Sequence, residues 1–291
     1  MRNAFFCVDI GGTKTACAIW SEAGEELFYH SFPTEAHRGA EDLVERVYRC
    51  VYEQLGAYRI IGGGLASPGP LDLSRGTVVH AVTLGWKDTP IVRLFEARFG
   101  FAFTLLNDCD AGALGVANLP PFRSYSSLCY ISLSTGIGGG FVYRGEVYTG
   151  GGNAANFGHM PARGEGLVCG CGKRDCLELY ASGSGLEQRY RLQTGNSLSC
   201  AEIEGLAKAG DETAFRLFEE AAEHLSVAVA SIRAILDPQI IVFGGSVCRC
   251  GELILGRLGK DVPIGYAPDD GKQVLLGAFC AAKASQKREK A

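Results

Sequence analysis

Asp9 ends an apolar run and is followed at once by Ile10-Gly11-Gly12-Thr13-Lys14. A strand that ends in a carboxylate and turns through two glycines can aim backbone N–H groups and one hydroxyl at phosphate oxygens. Lys14 adds charge, and Asp9 can hold the waters of a magnesium ion, which prefers carboxylate, water and phosphate oxygens. A second glycine-rich stretch, Ser134-Thr135-Gly136-Ile137-Gly138-Gly139-Gly140, leaves another apolar run, and Gly244-Gly245-Ser246 follows a third. None of these is a Walker loop or a dinucleotide fingerprint. A tight hairpin turn with no ligand is the competing reading for any one of them, and their recurrence in matching places favours a triphosphate.

Asp108 closes a further apolar run and follows Asn107, whose amide both donates and accepts. A carboxylate so placed can take a proton from a hydroxyl, or it can cap a helix starting near Asp110; the residues alone leave the two readings even. His159, Cys169, Cys171 and Cys176 form a third group, with Gly170 and Gly172 supplying turns between the thiols. Three thiols and one imidazole with no spare position are the donor set of a structural zinc site, since a catalytic zinc keeps one position open to water. Glu178, two residues further on, would be fixed by such a metal and can accept hydrogen bonds from a polyol.

The elements that must carry these groups follow from the apolar periodicity. Phe5 to Ile10, Thr15 to Trp20 and Leu27 to Phe32 read as a three-strand meander, followed by a helix from Ala40 to Leu55 with Leu43, Val44, Val47 and Val51 on one face. A strand Ile60 to Ala66, a helix Pro90 to Phe99 and a strand Phe103 to Leu106 complete the first half. The second half repeats the grammar: strands Leu128 to Leu133 and Phe141 to Tyr143, a long helix Glu212 to Leu236, a strand Gln239 to Phe243 and a closing helix Val274 to Lys283. The polar tail Ser285 to Ala291 is expected to fray. Two α/β domains are expected, 1–116 plus 277–291 and 117–276, the larger one holding the zinc-binding loop.

Composition narrows the function classes. The 28 Lys and Arg against 32 Asp and Glu give a charge of −4, which argues against nucleic acid as the main partner. Glycine is the outlier, 40 of 291 residues, and glycine accumulates where backbone must approach a ligand. The longest apolar stretch, Leu225 to Leu236, carries Arg233 and falls short of the roughly 18 residues that cross a bilayer. No membrane partner and a cytoplasmic location are expected, with the 12 cysteines reduced. Cys7, Cys17, Cys129 and Cys280 read as core, and Cys248 and Cys250 as incidental.

Taken together, Asp9 to Lys14, Ser67-Pro68-Gly69-Pro70, Asn107-Asp108, Ser134 to Gly140, Gly158-His159, the cysteine group and Gly244-Gly245 resemble the ROK family (repressor, open reading frame, kinase) almost from end to end. The resemblance implies the actin-like ATPase (ribonuclease H-like) fold, a duplicated two-domain α/β fold with a central cleft. It also implies transfer of the γ-phosphate of ATP, with Mg2+, to a hexose or N-acetyl-hexosamine. It implies Asp108 as general base, sugar contacts from Asn107, Gly69, Glu178 and His159, and structural zinc on His159 and the three cysteines. ATP is implied to lie against Asp9, Gly11, Gly12, Thr13, Lys14, Thr135, Gly136, Gly138, Gly139, Gly244 and Gly245. Family repressors carry an added N-terminal helix-turn-helix, for which a phosphate loop at Asp9 leaves no room, so a kinase is implied; a non-catalytic sugar-binding or regulatory member is the alternative. A homo-oligomer, dimer or tetramer, is expected from the resemblance alone. The chain departs from the family pattern at two sugar-facing positions. Asn156 stands where a glutamate is usual, and Thr83 stands where an asparagine precedes Leu84-Gly85-Trp86. Altered sugar choice is expected.

Overall fold

The computed structural model describes residues 1–258, 263–268 and 271–290. The chain divides into two compact units, Met1–Arg123 with Gly145–Ala154 and Lys272–Ala291, and Ser124–Arg144 with Ala155–Gly271.

In the first unit β1 (Asn3–Ile10) is apolar on both faces and almost wholly buried, as a central strand covered on both sides must be. It pairs antiparallel with β2 (Lys14–Ser21), which pairs antiparallel with β3 (Glu26–Pro33). Helix α1 (Ala40–Leu55) buries the stripe Leu43, Val44, Val47 and Val51 and places Glu41 and Asp42 in its first turn, where the helix dipole favours acids. β4 (Arg59–Ser67) then runs parallel to β1. A small sheet unforeseen in the sequence follows, formed by β5 (Leu71–Asp72), β6 (Thr77–Ala81) and β7 (Trp86–Thr89). Its strands are too short to show a period of two. After α2 (Ile91–Phe99), β8 (Phe103–Asn107) adds parallel to β4, giving the order β3-β2-β1-β4-β8, and leads into α3 (Asp108–Ala117).

The second unit repeats this plan. β9 (Ser127–Leu133) pairs antiparallel with β10 (Ile137–Tyr143). The short β11 (Glu146–Val147) lies in the segment that belongs to the first unit. The zinc-type loop leads into α4 (Glu178–Ala181), α5 (Gly183–Thr194) and α6 (Cys200–Lys208). The last two were not foreseen, because α5 has a weak apolar stripe; α6 announces itself only by the capping box of Ser199 and Glu202. α7 (Glu212–Leu236) starts on Asp211, whose side chain accepts from the Ala214 amide at 2.7 Å. β12 (Ile240–Gly244) runs parallel to β9, and after α8 (Gly251–Ile254) β13 (Ile264–Tyr266) runs parallel to β12.

The last helix, α9 (Gln273–Lys290), returns to the first unit. It is longer than expected at its C-terminal end: Ser285 to Lys290 continue the helix, and Gln286 Nε2 donates to the Ile61 carbonyl at 2.7 Å. The unit boundaries also differ from 1–116 plus 277–291 and 117–276. Residues 119–123 turn back on the end of α3, where Phe122 is buried. At the other boundary Lys272 pairs with Glu26 at 2.7 Å.

Candidate active site

In the first unit the register of the parallel strands gathers the expected residues at one end of the sheet. Asp9 of β1 lies opposite Ala66 of β4, and Ser67 opposite Asn107 of β8. These are the carboxyl ends of neighbouring parallel strands, where α/β sheets bind ligands. The Gly11–Lys14 turn joins β1 to β2, with the Gly11 amide donating to the Lys14 carbonyl at 3.0 Å. Thr34 holds the turn from below: its hydroxyl donates to the Gly11 carbonyl at 2.6 Å and its amide to the Thr13 carbonyl at 2.9 Å. Thr83 packs directly on this turn, since a β-carbon on Gly12 would lie 3.0 Å from that of Thr83.

Asn107, and not Asp108, is the N-cap of α3. Its Oδ1 accepts from the Cys109 amide at 2.9 Å and the Asp110 amide at 3.4 Å, which commits the oxygen and leaves Nδ2 to donate. Asp108 is the first helical residue, and its Oδ1 accepts from the Cys109 amide at 2.8 Å. The Gly69 turn lies beside the cap: a β-carbon on Gly69 would be 3.5 Å from Asn107 Nδ2.

Three carboxyls share this region. Burial, aided by the charge of Asp108 and opposed by that of Lys14, pushes Asp9 up to about 7. Burial and the charge of Asp108 push Asp110 up to about 7 as well. Burial also raises Asp108, against the pull of its bond to the Cys109 amide. A raised carboxyl is a stronger base, which suits proton removal near neutral pH. Asp110, buried and with Oδ1 unpartnered among the described residues, was not singled out as a functional residue in the sequence; an acid inside the small-residue run of α3 was the available signal. Burial holds the Cys109 thiol protonated, so it is a poor nucleophile.

In the second unit the glycine turn is shorter than expected. β10 begins at Ile137, so only Ser134, Thr135 and Gly136 make the hairpin turn, and Gly138 and Gly139 are strand residues. Gly139 is required by packing: a β-carbon there would lie 2.6 Å from the Tyr130 carbonyl and overlap the Phe157 ring. The turn is fastened to α5, whose Gly183 and Ser184 amides donate to the Ser134 and Thr135 carbonyls at 2.8 and 3.1 Å. Ser134 Oγ lies 3.3 Å from Ser246 Oγ, which brings the Gly244-Gly245 turn alongside. Gly245 adopts φ +93, a conformation that favours glycine. Glu178, at the start of α4, faces the same turn, its Oε2 3.4 Å from where a β-carbon of Gly136 would stand.

His159, Cys169, Cys171 and Cys176 converge, all four donor atoms lying within 4.8 Å of one another. Cys169 Sγ is 3.6 Å from His159 Nδ1, and Cys171 Sγ is 3.6 Å from Cys176 Sγ. A tetrahedron with Zn–S of about 2.3 Å and Zn–N of about 2.0–2.1 Å has donor–donor edges of about 3.5–3.8 Å, so the set fits zinc. Glu178 Oε1 lies 2.9 Å from Cys169 Sγ and 3.4 Å from His159 Nδ1. The loop is braced by a residue the sequence did not single out. Asp175 accepts from the Gly166 and Leu167 amides at 2.9 and 3.0 Å and from the Tyr180 hydroxyl. Asn156 is exposed just before the short helical turn that carries His159, and Thr83 is exposed in the first unit.

Two α/β units of like strand order, each with a glycine hairpin between its first two strands, define the actin-like ATPase fold. The chain belongs to the ROK family, whose model matches residues 5–288. It is 31% identical over 272 residues to the glucokinase of Streptomyces coelicolor, covering 87% of this chain and 85% of that one. The structure of the ROK hexokinase from Thermus thermophilus superposes with a TM-score of 0.87 at 32% identity, covering 98% of this chain and 99% of that one. That of a ROK family glucokinase from Streptomyces griseus in complex with glucose and AMPPNP superposes with a TM-score of 0.79 at 28% identity, covering 97% and 99%. Among the described residues no helix is long and apolar enough to cross a membrane.

Proposed function

We infer that the chain is an ATP-dependent sugar kinase that phosphorylates a hexose or N-acetyl-hexosamine at a primary hydroxyl. The observation that carries this reading is the end of β8: Asn107 takes over the helix cap and leaves Asp108 as a partly buried carboxyl, raised by its surroundings, beside Asp9 and the first glycine turn. The relatives named glucokinase and hexokinase support the class of reaction.

In the proposed reaction Asp108 accepts the proton of the sugar hydroxyl as its oxygen attacks the γ-phosphorus. The bond from that phosphorus to the β–γ bridging oxygen breaks, and ADP leaves with the electron pair. The turns at Gly11–Lys14 and Ser134–Gly136 offer backbone amides and hydroxyls to the phosphates, with Gly244-Gly245 on the adenosine side. Gly139 serves by leaving room for the Phe157 ring and the Tyr130 carbonyl. Asp9 would help to hold a magnesium ion, which would supply charge neutralisation on the phosphates. Asn107 Nδ2 donates to a sugar oxygen. Glu178 accepts from sugar hydroxyls, and Asn156 borders the same region.

His159 and the three cysteines would hold zinc, whose chemistry here is to fix a loop. With Nδ1 of His159 turned to the thiols, Nε2 is left to face the sugar. The departures at Asn156 and Thr83 set the sugar choice apart from that of glucose-specific members. ADP release with ATP and magnesium across glucose, mannose, allose, fructose, N-acetylglucosamine, N-acetylmannosamine and a β-glucoside disaccharide tests the reading. One dominant sugar is expected. Silence from a folded, zinc-loaded protein, together with calorimetric binding of a sugar, would point instead to a regulatory sugar-binding member.

A further inference from the structure

The first unit contains a cavity of about 750 Å3 that none of the residues above uses. This is within the roughly 300–1,000 Å3 of small-molecule sites. It is bounded by the outer face of α9, by α3, by β8 and by the segment 145–149. Its charge is one-sided. Among the described residues Arg123, Lys283, Lys287 and Arg288 line it against the single carboxylate of Glu146, although the whole chain carries a net −4.

Among the described residues only Arg288 of these four is ion-paired, with Glu146 at an exposed position. Lys283 Nζ donates to the Glu22 carbonyl at 2.7 Å and lies over the Phe279 ring, Arg123 donates to the Asn118 carbonyl, and neither meets a carboxylate among the described residues. Lys283 and Arg123 both act on the Cys280 thiol, so the two charges converge on one part of the wall. The rest of the wall joins the apolar side chains of Leu106, Leu114, Leu276 and Phe279 to polar ones such as Asn118 and Thr149. Cations that share a concave site with apolar surface and lack counter-charges are built for an anion with an apolar body.

We propose that this cavity binds a small organic anion, a phosphate ester or a carboxylate carrying an apolar group, away from the residues assigned to sugar and ATP. The wall gives such a ligand a route to the chemistry. Leu106 immediately precedes Asn107, and Leu114 lies on the helix that Asp108 begins, so an occupant touches both elements that hold the candidate base. Binding itself is independent of the activity; only a change in turnover on binding rests on the kinase reading.

The test is calorimetry on the zinc-loaded full chain with its nucleotide site saturated by magnesium and AMPPNP. The probes are phenyl phosphate, octanoate, inorganic phosphate and benzyl alcohol. Phenyl phosphate or octanoate is expected to bind once per chain and more tightly than inorganic phosphate or benzyl alcohol, and whichever binds identifies the headgroup. Lys287→Glu, at an exposed position, is expected to weaken binding about tenfold or more, as loss of a charge-assisted contact does. The double variant Lys283→Glu/Lys287→Glu should weaken it further, and Glu146→Gln should tighten it. Binding that ignores all three substitutions, equal binding of benzyl alcohol, or no binding by any probe would overturn the proposal. If the wild type also releases no ADP with any sugar, the kinase reading fails separately and the calorimetric result stands.

Discussion

Gly277 of α9 and Ala111 of α3 are in backbone contact: a β-carbon built on Gly277 would overlap the Ala111 carbonyl oxygen. One turn along α3, a β-carbon on Gly115 would overlap the Gln273 carbonyl. The two helices are therefore seated against each other without side chains between them, and α3 is the helix whose first residue is Asp108. Gly277→Ala is expected to cost about 1–3 kcal/mol, the usual range for overpacking a close contact. Its denaturant midpoint should fall accordingly, while Gly100→Ala, open to solvent but at φ +79, reports backbone strain alone.

Asp108→Asn removes the proton acceptor and keeps the side-chain shape. Turnover should fall by about 10²–10⁴-fold, the share of a general base, with the thermal midpoint kept or raised. A variant retaining wild-type turnover would sink the assignment.

The buried carboxyl of Asp110 makes stability depend on pH in a stated direction. Its pKa in the folded chain, about 7, lies above the ordinary 3.8, so the folded state binds the proton more tightly than the unfolded state does. Stability from this group is complete below about pH 4 and is lost as pH rises to about 7. Asp110→Asn, which cannot ionise, should therefore match wild type near pH 3 and exceed it at pH 8, by on the order of 2–4 kcal/mol. Thermal melts of both proteins across that range check the sign. A variant less stable than wild type at pH 8 would show that the ionised carboxylate has a partner in the folded protein.

Much of this arrangement was legible in the sequence. Both glycine hairpins, the three-strand meander, α1, α7 and the convergence of His159 with three cysteines follow from apolar period and residue type alone. What was not legible depended on distance in the fold. Gly138 and Gly139 have the composition of a phosphate loop, yet Phe157 and Tyr130 press on Gly139 and both glycines lie in β10. The cap of α3 was a choice between neighbouring polar residues that only the backbone geometry decides, and it fell to Asn107. Strands of two to five residues such as β5 to β7 carry too little pattern to be read. Cys7, Cys17 and Cys129 are core as expected, whereas Cys280 is only partly buried and borders the cationic cavity.

Elemental analysis of protein purified without chelator should find one zinc per chain. Removing it is expected to lower the thermal midpoint and to abolish sugar binding before nucleotide binding, because Glu178 and His159 share the loop while the Gly11–Lys14 turn lies in the other unit. Cys176→Ser should reproduce the effect of the chelator.

Asn156→Glu introduces the carboxylate that the family resemblance leads one to expect at this position. It is expected to raise kcat/KM for glucose relative to the preferred sugar by about 10–100-fold, with Thr83→Asn adding to it. The sugar panel used for the wild type measures the ratio.

The return of α9 to the first unit also bears on how the protein is made. The helix that packs on α3 and covers β4 leaves the ribosome only after the second unit has emerged. The second unit can mature during synthesis, whereas the first must wait with one face of its sheet uncovered until α9 has been made. Nascent chains stalled short of residue 272 would expose that face to chaperones.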